Sequence, residues 1–225
     1  MRFTSEEHLV QAILACTKRA RRREYKVELE VDAGVGVADL VLTKRTQRST
    51  ESLRALGNIS PRLAVLLSHD IGAAIKTRKE LATCLGTSEA ATQRVIAQLS
   101  VAGLATYSAA SLDILTVRRL PFERLIAVEA KISDWPRVLI QAYRNLQFAN
   151  ESWAVLDHAF IRPALAQVER FQAAGVGLAS VDRGRGLFIH HSAAAHGPMS
   201  LGKHWQAQAV LANRVLNKRL ASGAL

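Results

Sequence analysis

Two short acidic segments, each placed in or after an apolar run, could do chemistry together. Asp39 lies within the apolar run at residues 35–42, and Glu129-Ala130-Lys131 directly follows apolar residues 125–128. Two carboxylates and a lysine on neighbouring buried strands can hold Mg²⁺ and aim a water molecule at a phosphodiester. The pattern therefore indicates a candidate site for metal-dependent hydrolysis.

The position of Glu129 at the end of a buried strand matters more than the tripeptide itself. Along a strand, Glu129 and Lys131 point to one face, and a buried carboxylate needs a compensating partner. A second copy of the pattern, Glu24-Tyr25-Lys26, follows a basic helix end, so we expect its acid at the edge of the fold. A simple ion pair between Glu129 and Lys131 is the structural alternative.

Alternating helices and strands position these residues. The hydrophobic spacing predicts a helix over 4–22 and a hairpin of strands 26–31 and 35–42, joined by Asp32-Ala33-Gly34. After the middle of the chain the pattern resumes. The expected elements there are strand 124–132, helix 135–150, strand 152–156, helix 161–174, strands 176–181 and 186–190, and helix 201–220.

The middle of the chain has a different character. Helices are predicted over 61–67, 78–85 and 88–102, and short strands over 104–107 and 112–117. Residues 80–99 within this stretch resemble a winged helix-turn-helix module. That resemblance implies a recognition helix that exposes Ser88, Thr92, Gln93 and Arg94 to DNA. A helical insertion that packs on the core or on another subunit is the alternative.

The order of elements around Asp39 and Glu129 resembles the core of the PD-(D/E)XK nuclease superfamily. The resemblance covers about 1–45 and 120–192, and the motif reads Asp39…Glu129-Ala130-Lys131, with Ala38 where the motif's name has proline. It implies that Asp39, Glu129 and the carbonyl of Ala130 bind Mg²⁺ or Mn²⁺. It also implies that Lys131 orients or deprotonates the attacking water.

Two flanking residues extend this resemblance. Family members often carry a glutamate on the first helix, and Glu6 lies on the stripe of Leu9 and Ile13, where we expect it to be buried. Some branches carry a Gln-x-x-x-Tyr signature on the helix after the lysine. Gln141 matches its first position, but residue 145 is not tyrosine, so the strict signature is absent.

The charge of the chain indicates a polyanionic partner. The formal net charge is +11. The sequence contains no uncharged apolar run long enough to indicate a membrane segment. We expect phosphate contacts from the basic residues Arg21, Arg22, Arg23, Arg137 and Arg144. Two cysteines without a histidine cluster exclude a finger-type zinc site and favour reduced thiols in a cytoplasmic protein.

Together these patterns predict an α/β fold of the restriction-endonuclease-like type, a mixed sheet flanked by helices with an inserted winged-helix-like α+β module. The expected domains are a discontinuous core, 1–57 with 119–225, and the insertion, 58–118. The expected function is metal-dependent hydrolysis of double-stranded DNA, and a homodimer would suit cleavage of both strands. A DNA-binding regulator that does not cleave and a nuclease acting on RNA remain open alternatives.

Overall fold

The computed structural model of the chain describes residues 2–19, 24–108 and 111–221. The strands are β1 Tyr25–Asp32, β2 Val37–Arg45, β3 Ala105–Tyr107, β4 Leu112–Ile114, β5 Phe122–Lys131, β6 Glu151–Asp157, β7 Gly177–Asp182 and β8 Gly186–His191. The helices are α1 Glu6–Arg19, α2 Thr50–Gly57, α3 His69–Gly72, α4 Arg78–Leu85, α5 Glu89–Val101, α6 Trp135–Asn145, α7 Arg162–Leu165, α8 Val168–Ala173 and α9 Leu201–Ala221. Pro61–Leu67 and His158–Phe160 form 3-10 helices.

The chain divides into two compact units, and both are discontinuous in sequence. The first unit comprises Met1–Arg45 and Phe122–His204, and the second comprises Thr46–Pro121 and Trp205–Leu225. The predicted insertion at 58–118 therefore lies inside the second unit, which also takes in 46–57 and most of α9. None of the described helices is both long and apolar enough to cross a membrane.

The first unit is built on a mixed six-stranded sheet with the order β1-β2-β5-β6-β7-β8. The three central strands β5, β6 and β7 run parallel, whereas β1, β2 and β8 pair antiparallel to their neighbours. Helices cover both faces, which explains why β5 is a continuous apolar run instead of an alternating one. The predicted α/β class with a mixed sheet flanked by helices is confirmed.

Each face of the sheet has its own apolar cluster. On one face, Leu9 and Ile13 of α1 join Leu40 of β2 and Val128 of β5. On the other face, the buried side of α6 packs against β6 and β7. Residues of β2 and β5 that neighbour Leu40 and Val128 in sequence therefore point toward the α6 side of the sheet.

The predicted hairpin is present, and its strands are longer than expected. Asp32 Oδ1 accepts a hydrogen bond of 2.7 Å from the Gly34 N–H, and Gly34 has a φ of 77°. This local bond and the left-handed glycine reverse the chain between β1 and β2. The predicted helix over 161–174 is instead two short helices, α7 and α8, which place Ala164 and Phe171 in the same apolar cluster.

In the second unit, α4 and α5 are joined by a tight turn. Thr77 and Glu80 form a capping box at the start of α4, Gly86 ends it with a φ of 58°, and the Ser88 side chain caps α5. Strands β3 and β4 pair antiparallel immediately afterwards. This order matches the predicted one, although 61–67 is a 3-10 helix and α2 and α3 were not predicted.

Candidate metal-dependent active site

Asp39 and Glu129 lie side by side on the sheet. Strands β2 and β5 pair antiparallel with Leu40 opposite Val128. Asp39, just before Leu40, and Glu129, just after Val128, therefore lie next to each other on the α6 face. The Ala130 N–H donates a hydrogen bond of 2.8 Å to Asp39 Oδ2. The two acids that the sequence predicted as a pair are thus neighbours, although 89 residues separate them in sequence.

The Glu129 carboxyl group is buried and only half satisfied. Its residue is 1% exposed, and Oε1 accepts a hydrogen bond of 2.7 Å from Asn145 Nδ2. Its other oxygen, Oε2, is buried without a hydrogen-bond partner among the described residues. A buried carboxylate oxygen with no donor is unfavourable unless a cation or a proton compensates it.

The electrostatics of Glu129 follow from this burial. Burial raises the pKa of Glu129 from 4.5 to about 7. The Asp39 carboxyl group acts in the same direction, through its negative charge and through a hydrogen bond that Glu129 donates to it only when protonated. The hydrogen bond from Asn145 and the charge of Lys131 act in the opposite direction. A carboxyl group with this pKa gains or loses its proton near neutral pH.

Lys131 reaches Glu6 of α1. Its Nζ donates to Glu6 Oε2 at 2.6 Å, and the lysine side chain is 12% exposed while that of Glu6 is 50% exposed. Glu6 thus belongs to the site through its ion pair with Lys131. The expected burial of Glu6 on the apolar stripe was wrong, because its carboxylate stays half in solvent at the first turn of α1.

Helix α6 packs on the face of the sheet to which Asp39 and Glu129 point. Asp134 caps it by accepting a hydrogen bond of 3.1 Å from the Arg137 N–H, and Pro136 occupies its first turn. Gln141 and Asn145 are four residues apart and lie on the same side of the helix. The Gln141 Oε1 atom is a second buried oxygen without a hydrogen-bond partner among the described residues.

Asn145 is the site residue that the sequence analysis missed. It occupies the position at which the Gln-x-x-x-Tyr signature has tyrosine, and it donates directly to Glu129. The signal was present: a polar side chain one helical turn after Gln141 faces the same strand. The resemblance predicts tyrosine at that position, so it gives no role to an amide there.

The donor set fits a hard divalent cation. Asp39 and Glu129 supply carboxylate oxygens, and Mg²⁺ or Mn²⁺ binds such oxygens together with water and phosphate. Glu129 Oε2, which has no hydrogen-bond donor among the described residues, is the atom that such a cation would bind. Across residues 2–19, 24–108 and 111–221, no group of three or more His, Cys, Asp or Glu side chains could hold a metal ion.

The predicted nucleic-acid contacts have different outcomes. Arg21, Arg22 and Arg23 lie outside the described residues. Thr92 is fully buried, contrary to the exposed position predicted, because it lies on the packed face of α5 with Ile96 and Leu99. Its hydroxyl donates to the Ser88 carbonyl at 2.9 Å. The remaining predicted contacts are all exposed on helices α5 and α6: Gln93, Arg94, Arg137 and Arg144.

No protein-family model, curated protein or solved structure matches the chain.

Proposed function

We propose that the chain is a metal-dependent deoxyribonuclease with its active site at Asp39, Glu129 and Lys131. The observation that carries the proposal is the buried Glu129 Oε2, which has no hydrogen-bond donor in the described part of the chain and lies beside a second carboxylate. The sequence resemblance to PD-(D/E)XK nucleases supports the same residues. The net charge of +11 supports a polyanionic substrate.

Each side chain of the site would have a separate role in phosphodiester hydrolysis. Asp39 and Glu129 would hold the cation, which supplies Lewis-acid polarisation of the phosphate and an activated water. Asn145 occupies Glu129 Oε1 and so leaves Oε2 for the cation. The ammonium group of Lys131, oriented by Glu6 at 2.6 Å, stabilises the negative charge that builds on the transferring phosphoryl group.

The second unit would contact duplex DNA. Helix α5 follows a capped turn after α4, an arrangement that supports the winged helix-turn-helix resemblance. Gln93 and Arg94 are exposed on α5 and would make the contacts. Because Thr92 is buried, its hydroxyl is excluded from this role.

A supercoiled plasmid and a single-stranded oligonucleotide test the proposal. We expect cleavage with Mg²⁺ or Mn²⁺, none with EDTA, and a loss of about 10²–10³-fold in the Asp39→Asn variant. Glu123→Gln provides a matched control, because Glu123 is on the same β5 strand but forms an exposed ion pair with Lys44. Cleavage that survives Asp39→Asn would contradict the assignment.

A non-cleaving DNA-binding regulator is the second candidate. It is favoured by the finding that, among the described residues, no group of three or more His, Cys, Asp or Glu side chains could hold a metal ion. In that case the wild-type protein would bind duplex DNA with strong salt dependence but would cleave neither substrate with any metal. Arg94→Ala would then weaken binding, whereas Asp39→Asn would not.

A further inference from the structure

The second unit contains a cleft of about 350 Å³ beside the first turn of α2. Three arginines line it: Arg48 just before α2, and Arg118 and Arg119 after β4. Glu51 is the one carboxylate among the lining residues. Three guanidinium groups against one carboxylate give the cleft a net positive charge.

Among the residues that the structure describes, none of the three arginines forms an ion pair. Within the described ranges the ion pairs involve other arginines, such as Arg78 with Glu89 and Arg185 with Asp182, and none involves Arg48, Arg118 or Arg119. Like charges around one cleft repel each other, and an anion removes that repulsion. Guanidinium groups match phosphate oxygens in planar, bidentate geometry, so phosphate is the anion that this set fits best.

Arg48 has an unusual backbone conformation. Its φ is 55°, in the left-handed region that glycine and asparagine normally occupy. An arginine in this conformation is less favourable for folding than glycine would be. Replacement of Arg48 by glycine therefore removes the guanidinium group without adding backbone strain.

The neighbouring helix α5 cannot supply many phosphate contacts. Its sequence, residues 89–101, contains a single cationic residue, Arg94. Binding of a duplex normally rests on several phosphate contacts, which fix the position of the protein without reading sequence. The arginine cleft is the richer source of such contacts in this unit.

We propose that the cleft of Arg48, Arg118 and Arg119 binds the phosphate backbone of a nucleic acid strand. This inference rests on the nucleic-acid substrate of the proposed function and adds a binding site for it. The cleft lies wholly in the second unit, so its contribution to binding is measurable without cleavage.

Binding of a fluorescent duplex of about 30 base pairs, measured in EDTA between about 50 and 200 mM salt, tests the proposal. The Arg118→Gln/Arg119→Gln variant should bind about tenfold or more weakly at the lower salt concentrations. Its plot of log affinity against log salt should be flatter by about 1.8, because each lost phosphate contact removes about 0.9. Arg54→Gln/Arg62→Gln is the matched control, because it removes two exposed charges of the same unit that do not line the cleft, and it should keep the wild-type slope.

The Arg48→Gly variant distinguishes a role of Arg48 in nucleic-acid binding from a role in folding stability. Glycine accepts the left-handed conformation, so the melting temperature should stay the same or rise. The salt slope should nevertheless become flatter by about 0.9. An arginine retained only for structure would give unchanged duplex binding, which would overturn the role assigned to Arg48.

Three results would overturn the proposal as a whole. The first is a wild-type salt slope in the Arg118→Gln/Arg119→Gln variant. The second is a loss of duplex affinity in the control variant as large as that in the test variant. The third is equal duplex binding by the wild type and the Arg118→Gln/Arg119→Gln variant, combined with a melting temperature that inorganic phosphate at about 10 mM raises only in the wild type. That outcome would assign the cleft to a small phosphorylated ligand. Repeating the measurement with Asp39→Asn separates this inference from the proposed cleavage, because the variant retains the cleft.

Discussion

The first unit contains the same Glu-x-Lys tripeptide twice, in two very different surroundings. Glu24-Tyr25-Lys26 leads into β1, an edge strand of the sheet, and Glu129-Ala130-Lys131 ends β5 in its interior. The Glu24 side chain is 69% exposed and pairs with Lys44 at 3.2 Å. Glu129 is 1% exposed and has one oxygen without a donor among the described residues.

The difference shows that chemistry here depends on burial and neighbours. At the edge strand, water screens both charges, so an exposed ion pair contributes little. In the interior, the charge of Glu129 is unfavourable enough to raise its pKa to about 7. Of the two copies, the interior one has the carboxylate that the proposed cation would stabilise.

The largest expected difference between the two copies is in turnover. If the proposed function holds, Lys131→Met should lower the cleavage rate by about 10²–10³-fold, because it removes the ammonium group proposed to stabilise charge on the phosphoryl group. Lys26→Met should cleave like the wild type. Single-turnover cleavage of plasmid measures both variants, and equal losses would remove the distinction between the two tripeptides.

The next largest effect is on stability without metal. Folded Glu129 holds its proton up to about pH 7 and the unfolded residue only to 4.5, so the free energy of unfolding should fall by about 3 kcal/mol as the pH rises between these values. Glu129→Gln should abolish this fall, and Glu24→Gln should leave it unchanged. Urea unfolding in EDTA at about pH 4.5 and pH 8 measures it. A wild type and a Glu129→Gln variant with parallel pH profiles would contradict the burial account.

Substitution of Asn145 should change the affinity for the cation more than the stability of the fold. Asn145→Leu removes the donor to Glu129 Oε1 and should weaken Mn²⁺ binding by about tenfold, as loss of a supporting hydrogen bond at a metal ligand commonly does. Asn150 is the control, because its side chain accepts from the Leu125 N–H at the other end of β5. Asn150→Ala should lower the melting temperature but leave the Mn²⁺ affinity unchanged. A Mn²⁺ titration distinguishes them, and equal affinities in Asn145→Leu and wild type would exclude the positioning role.

The smallest effect is expected at Gln141. Gln141→Met keeps the side-chain length but removes the buried oxygen that has no donor among the described residues. We expect a gain of about 1 kcal/mol in unfolding free energy, because the desolvated oxygen is gone. Urea unfolding measures the effect. A loss of stability would show that the oxygen has a partner in solution.

The alternation and periodicity of the sequence were enough to predict most of the first unit. Apolar runs indicated β2, β5, β6 and β7, and the buried end of β5 drew attention to Glu129. Local turn chemistry at Asp32 and Gly34 predicted the hairpin. These features depend on residues close together in sequence, which is why they could be predicted.

Features that depend on tertiary contacts could not be predicted in this way. The ion pair of Lys131 with Glu6 and the hydrogen bond of Asn145 with Glu129 join elements brought together only by folding. The burial of Thr92 likewise follows from how α5 packs, since its position on the helix was compatible with either exposure or burial. The break between α7 and α8 carries no strong sequence signal.

Titration of Mg²⁺ or Mn²⁺ into the free protein at pH 7, by calorimetry in two buffers of different ionisation enthalpy, tests the central claim most directly. We predict one cation bound with release of about half a proton, because the pKa of Glu129 is about 7. Glu129→Gln should abolish this binding, and Glu24→Gln should preserve it. Binding that survives Glu129→Gln, or a wild type that binds neither cation, would contradict the assignment of Asp39 and Glu129 as a metal site.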